Sequence, residues 1–237
     1  MSPEDVCPCR MPLGGKLLRV AYNSTELRLL ESPERSDDMT ESGWFRNLTP
    51  KTVSRYVGQY LEDLTERQTE DELWLESGVL VPQRRRGYFD HETMMRLLRW
   101  KLEGSYGRFR NRKNTVERVE SLTRGAFPMA LQSDADALKI LARSYAEGGM
   151  YGVSWSAASA ILHWMVPDTG VILDQHALRA IWEDPCRLEA TYTEYLVSAP
   201  LVRQKRDQLG CGLRDLDRAL VVRGRYVKND WEAKASQ

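Results

Sequence analysis

From Gly148 to Trp182 the chain reads GGMYGVSWSAASAILHWMVPDTGVILDQHALRAIW. In order these are a glycine-rich turn, a short apolar helix, a Pro/Gly-marked turn, three extended apolar residues and an aspartate opening a second helix. Gly148, Gly149 and Gly152 permit a tight connection into the helix that starts near Ser154. The first turn of that helix presents backbone N–H groups where partial positive charge gathers, so a phosphate can bind there without a basic side chain. Ser154 and Ser156 offer hydroxyls at the same place, although a plain helix-to-helix connection would also read this way. Ala157 to Ala160 are small and allow close packing; Ile161, Leu162, Trp164 and Met165 read as core, and His163 as a packed core histidine. After the turn Pro167–Gly170 and the extended Val171–Leu173, Asp174 stands at the N-cap of the next helix. There it accepts amide hydrogen bonds and stays ionised at neutral pH.

Outward from this centre the pattern is helical. Thr49-Pro50 starts a helix whose buried face is Val53, Tyr56, Val57, Tyr60, Leu61 and Leu64. A helical or mixed segment around Glu70–Ser77 ends at Gly78, and VPQRRRGYFD then reads as a solvated loop. Asp90 to Leu102 is a capped helix with Met94, Leu97, Leu98 and Leu102 on one face, followed by the basic loop GSYGRFRNRKN. Further helices are expected at Asn114–Thr123, Ser133–Ala146, Leu188–Ser198, Leu201–Leu209 and Leu213–Val222, with fraying from Val227. Lys16–Tyr22 and Thr25–Leu30 alternate like a small β-hairpin, and ESPERSDDMTESG is a polar linker. Without strand–helix alternation a parallel sheet is unfavoured. The expected fold is mainly α, with residues 1–47 an N-terminal segment and residues 48–237 a helical domain.

The chain is 42% hydrophobic and 29% charged over 237 residues, enough for a sizeable core. Its zero net charge hides an asymmetry: residues 1–80 carry 9 Lys/Arg against 15 Asp/Glu, and residues 81–237 carry 25 against 19. The basic part admits an anionic partner. In the loop after Leu102, Tyr106 and Phe109 alternate with Arg108, Arg110, Arg112 and Lys113, a mixture suited to phosphates and unpaired bases but equally to a surface loop with its aromatics tucked into the core. No apolar run approaches the roughly 18–20 residues of a membrane span, and the N-terminus has no signal-peptide pattern, so a cytoplasmic location without membrane attachment is expected; a monomer is expected as well. Cys7, Cys9, Cys186 and Cys211 have neither disulfide-framework nor Fe–S spacing; Cys7-Pro-Cys9 reads as a reduced pair rather than a metal site.

The succession Gly152-Val153-Ser154, Ala158-Ser159-Ala160-Ile161-Leu162, Pro167-Asp168 and Ile172-Leu173-Asp174 resembles the helix-hairpin-helix, Gly/Pro…Asp superfamily of DNA glycosylases. The sharp resemblance covers about thirty-five residues; Tyr88–Asn114 and LRDLDRAL at 213–220 are more loosely similar to flanking helices of uncharacterised members. It implies two helical subdomains flanking a cleft, double-stranded DNA as partner, and excision of a flipped base by hydrolysis of its N-glycosidic bond. Asp174 would be the catalytic carboxylate, stabilising oxocarbenium-like charge on the sugar. The hairpin Gly152, Ser154 and Ser156, together with His176, Arg108, Arg110 and Arg112, would contact DNA, and Trp155, Trp100 and Lys101 would belong to the base pocket.

Three departures narrow this expectation. Bifunctional members place a nucleophilic lysine just after the hairpin, where this chain has Trp155 and Ser156, and Lys139 and Lys205 are remote in sequence. A monofunctional enzyme without lyase activity is therefore expected. Ser154 replaces the usual second hairpin glycine, and the C-terminal four-cysteine loop of many relatives is missing. No cofactor is then required and no Fe–S cluster expected, although a monovalent cation at the hairpin carbonyls is compatible. The departures from common repair subtypes leave both base-excision repair and antiviral defence against hypermodified phage DNA as settings. The competing readings are a non-catalytic helix-hairpin-helix DNA-binding module and a helical protein-interaction domain.

Overall fold

The computed structural model describes residues 41–102, 113–185 and 190–235. Among these the chain is mainly α, as expected, with eleven helices and no strand. The hairpin expected within Lys16–Leu30 and the loop residues Arg108, Arg110 and Arg112 lie outside the described residues. The helices are α1 (Gly43–Arg46), α2 (Pro50–Glu62), α3 (Glu66–Glu76), α4 (Val81–Arg86), α5 (His91–Leu102), α6 (Val116–Ala130), α7 (Asp134–Leu141), α8 (Trp155–Met165), α9 (Gln175–Trp182), α10 (Tyr192–Leu209) and α11 (Leu213–Ala235). Most begin at a side chain that accepts an otherwise orphaned amide: Thr49 in α2, Thr115 in α6, Ser133 in α7, and reciprocal Thr–Gln and Thr–Glu boxes at Thr65 and Thr191 in α3 and α10.

Several boundaries differ from the sequence pattern. VPQRRR is the helix α4, not a solvated loop: Pro82 sits in its first turn, Gly87 closes it at φ 77°, and Arg84 donates to the Trp164 carbonyl at 3.3 Å. The helix expected over Ser133–Ala146 stops at Leu141, because the chain must turn back through a 3-10 turn at Tyr145–Glu147 to bring Gly149 against Arg143. The two helices expected between Leu188 and Leu209 are one, α10, running through Pro200. The bond that Pro200 deletes is the one to Leu196, whose side of the helix faces solvent. Past Val227 the chain does not fray but continues α11, with Val227 buried and Arg225 paired to Asp63. On α2, Val53, Tyr56 and Tyr60 are buried, but Leu61 is exposed and Leu64 falls beyond the helix end.

The helices pack in two groups. In one, α5, α6, α7 and α8 pack on one another, with α3 against α5; in the other, α11 is flanked by α9 and α2, with α1 on α9, and α10 touches both α7 and α11. Buried residues from both groups join in one continuous core. The helical body begins before residue 48, since Ser42 donates its backbone N–H to Ile181 O (2.8 Å) and its hydroxyl to Ala180 O (3.0 Å), and Phe45 is fully buried. The segment from Val166 to Asp174 leaves α8 in the first group and enters α9 in the second. Among the described residues no helix is long and apolar enough to cross a membrane.

The tightest of the glycines in the second group is Gly224 of α11, where a β-carbon would lie 2.0 Å from the His176 carbonyl oxygen. Gly224→Ala should therefore destabilise the fold by roughly 1–3 kcal/mol or more through overpacking. Gly58→Ala, in a helix position with no neighbour within 4 Å, should instead stabilise by about 0.5–1 kcal/mol. Chemical denaturation of both variants checks the opposite signs.

Candidate active site

The turn entering α8 is held from two sides. Gly148 and Gly152 adopt φ of 91° and 79°, the left-handed region that glycine tolerates. A β-carbon on Gly149 would meet Arg143 O at 1.8 Å, so that position excludes any side chain. Buried Asn114 clamps Tyr151 through both amide groups, donating to its carbonyl (3.1 Å) and accepting from its N–H (2.7 Å). Arg118 donates to Gly149 O at 3.0 Å and lies over the Tyr145 ring, while Lys113 lies 4.4 Å over the Tyr151 ring. Ser154 then caps α8, its hydroxyl oxygen accepting from Ala157 N at 3.4 Å.

The same helix controls the loop that carries the carboxylate. His163 is buried, and burial lowers its pKa to about 4, so the ring is neutral; because Gly170 O can only accept, Nδ1 must hold the proton and donate at 2.8 Å. The Pro167–Gly170 turn lies so tightly on α8 that a β-carbon on Gly170 would be 2.8 Å from the His163 Cα. Four residues earlier on α8, the Ser159 hydroxyl accepts the Leu173 N–H at 3.0 Å. Two side chains of α8 thus pin the strand-like segment immediately before Asp174.

Asp174 caps α9 as expected, its Oδ1 accepting from His176 N (2.9 Å) and Ala177 N (3.0 Å). Its Oδ2 receives Lys101 Nζ at 2.6 Å, and both side chains are 12% exposed. Burial by itself would raise the Asp174 pKa; Lys101, the neighbouring His176 and the amide donors outweigh it and hold the carboxyl well below the usual carboxylate range. Burial lowers the His176 pKa more than Asp174 raises it, leaving that ring neutral at pH 7.

Two cavities meet at this pair. One, of about 350 Å³, is bounded by Ser154, Trp155 and Ser156 at the start of α8 and by Lys101, Asp174 and His176. The other, of about 180 Å³, is bounded by the same Lys101, Asp174 and His176 and reaches Trp100, Arg214 and Asp217. Of the residues the sequence singled out, Ser154, Trp155, Ser156, Trp100, Lys101, Asp174 and His176 therefore line one or both cavities. Gly152 lies in the turn below. Trp155 packs on Tyr192 with ring centroids 5.6 Å apart. Trp100 is held more firmly: its Nε1 donates to Glu72 Oε2 at 2.5 Å, Trp164 meets its edge, and the Arg214 guanidinium sits 4.9 Å over its face.

Sequence reasoning missed the residues that hold these in place. Ser159 reads as one small residue among alanines, and Asn114 and Arg118 as ordinary helix-start polars. The buried polar cluster of Tyr60, Glu72, Arg214, Asp217 and Arg218 spans three helices, and its only local sign is the charge density of LRDLDR at 213–218. In that cluster burial pushes the Tyr60 hydroxyl up to about 12, whereas Arg214 and Arg218 overcome burial to keep the Glu72 carboxyl below its ordinary range. The chemistry available is that of an ionised carboxylate, screened from water, between a helix-start turn and two cavities. Comparison of the chain with protein-family models, with curated proteins and with solved structures finds no match.

The Lys101–Asp174 pair is a buried ion pair, and removing one partner strands the other. Lys101→Met should destabilise the fold by about 3 kcal/mol, the low end of the usual range because two amides still serve Asp174. The double variant Lys101→Met/Asp174→Asn should recover part of that loss, which denaturant unfolding of the single and double variants measures.

Proposed function

We propose that the protein is a monofunctional DNA glycosylase that takes a flipped damaged or modified base into the cleft and hydrolyses its N-glycosidic bond. The observation that carries the reading is the ionised carboxylate of Asp174, buried beside a cavity that also meets the glycine-bounded start of α8. Breaking an N-glycosidic bond leaves positive charge shared between C1′ and the ring oxygen of the sugar. A fixed anion in a site with little water stabilises that charge far more than the ground state. The first-turn amides of α8 suit the phosphate next to the extruded nucleotide, and both cavities can admit a group of heterocycle size. Ser156 and Trp155 would then face the strand or the base, and His176, neutral, would offer a hydrogen bond rather than a charge.

Lys101 bears on the chemistry that follows. It comes from α5, not from the hairpin side, and forms the positive half of the pair with Asp174. A protonated amine has no lone pair for attack on C1′, so in this reading Lys101 orients Asp174 and water completes the reaction.

Asp174→Asn should cost some stability by stranding Lys101, yet, in protein that unfolding measurements show to be folded, keep duplex binding and lower base release by roughly 10²–10³-fold or more, since the anion is lost but the cap is not. Release measured on a panel of duplexes with deaminated, oxidised, alkylated and phage-type modified bases tests this; an unimpaired variant would sink the assignment. Borohydride added during turnover should trap no protein–DNA adduct. An adduct that disappears in Lys101→Met would make Lys101 a nucleophile and the enzyme bifunctional.

A further inference from the structure

The smaller cavity holds a second carboxylate. Asp217, on α11, is 4% exposed and lines the same 180 Å³ space as Asp174. Its Oδ2 is engaged by Arg214 one turn earlier, while its Oδ1 is buried and has no hydrogen-bond partner among the described residues. An acceptor left unpaired out of water is costly unless it carries a proton or meets a ligand. The groups around it cannot supply full compensation. Arg214 is shared with Glu72, which also takes Arg218; Arg218 is shared further with Glu76 and Asp215; and Lys101 is taken by Asp174. Carboxylates in this cluster therefore outnumber the cations that face them.

We propose that Asp217 is the general acid of the site, its carboxyl proton passing to the departing base as that base fills the cavity Asp217 lines, and that the substrates are accordingly neutral nucleobases rather than cationic N-alkylated purines. This rests on the glycosylase reading. In the step, the C1′–N bond breaks with its electron pair going to the base, and the Asp217 proton neutralises the base as it leaves. A water oxygen bonds to C1′, and the water's proton returns to Asp217. A neutral base leaves as an anion unless it is protonated, whereas a cationic alkylated base leaves neutral and has no use for an acid.

The electrostatics agree with this division of labour. Burial is the main cause that raises the Asp217 pKa, to about 6; Arg214 and Lys101 oppose it, and Asp174 and Glu72 add to it, with Tyr60 across from it on α2. Asp174 is pushed the other way. Two carboxyls in one cavity, one kept ionised and one kept able to hold a proton near neutrality, are what acid-assisted glycoside cleavage requires.

The test uses the full chain and duplexes each containing one uracil, hypoxanthine, 8-oxoguanine, 5-hydroxymethylcytosine or 7-methylguanine. For a neutral base that is released, single-turnover rates should be flat below about pH 6 and fall about tenfold per unit above it. Asp217→Asn should lower them by roughly 10²–10⁴-fold, far more than it lowers any release of cationic 7-methylguanine, and remove that pH dependence. A ¹³C carboxyl titration of the free wild-type protein should show a group titrating near 6 that is lost in the variant, a readout that does not depend on turnover. Neutral-base release that is independent of pH, or equal in Asp217→Asn, overturns the assignment and leaves the glycosylase reading standing. A wild-type protein that titrates no carboxyl above pH 5 overturns it as well. Failure of wild type to release any base removes both.

Discussion

A carboxylate that must stay charged out of water needs partners that do not move, and most of the structure around Asp174 serves that need. The backbone supplies two amides from the first turn of α9, which costs no side-chain entropy, and Lys101 supplies a full positive charge. Neither would suffice if the loop before Asp174 could shift. That loop is anchored at Gly170 by His163 and at Leu173 by Ser159, both on the helix the loop has just left. The glycine contacts are the steric side of the same constraint, since Gly170 lies on α8 and Gly224 admits α9 against α11.

The parts legible in sequence were those written in local chemistry. N-capping residues, the left-handed glycines and the aspartate before QHALRAIW each announce a backbone event within a few residues, and the structure places a helix start or turn at each. Boundaries went astray where tertiary packing overrides local preference. Pro200 costs one hydrogen bond on a wet face, and the chain accepts that loss because α10 packs on both α7 and α11. The arginines of α4 read as solvent-facing because charge runs usually are, yet one of them caps the carbonyl end of α8 at Trp164.

Of the site itself, what sequence could not reach was pairing across long separations. Lys101 and Asp174 are 73 residues apart, and Glu72 and Arg218 are separated by 146. No periodicity reports such contacts, because each partner sits in its own helix on a face that could equally be solvated. The small residues of α8 were legible as a packing surface, but the one hydroxyl among them was not legible as the hydrogen bond that holds Leu173. A single polar residue on a buried face carries information about its partner only once the partner is known.

The pairing also joins the two helical groups. Lys101 ends α5, in the group built around α8, while Asp174 opens α9, in the group built around α11. Their contact at 2.6 Å is therefore a clasp across the junction, and the cavities lie on either side of it. A relative displacement of the groups by even an ångström or two would lengthen a hydrogen bond whose strength depends on low dielectric and close approach. Burial of Asp174 would then be opposed only by the amides and His176 of α9 and would pull its pKa upward, so the charge on the carboxylate depends on how well the two groups are seated. The polar cluster behind the smaller cavity works in the same direction: Arg214 and Arg218 on α11 grip Glu72 on α3, which packs against α5, and so tie the second group to the first a second time. Two ionic ties, one in the site and one behind it, thus add direction-specific bonds to the close-packed apolar core that the two groups share.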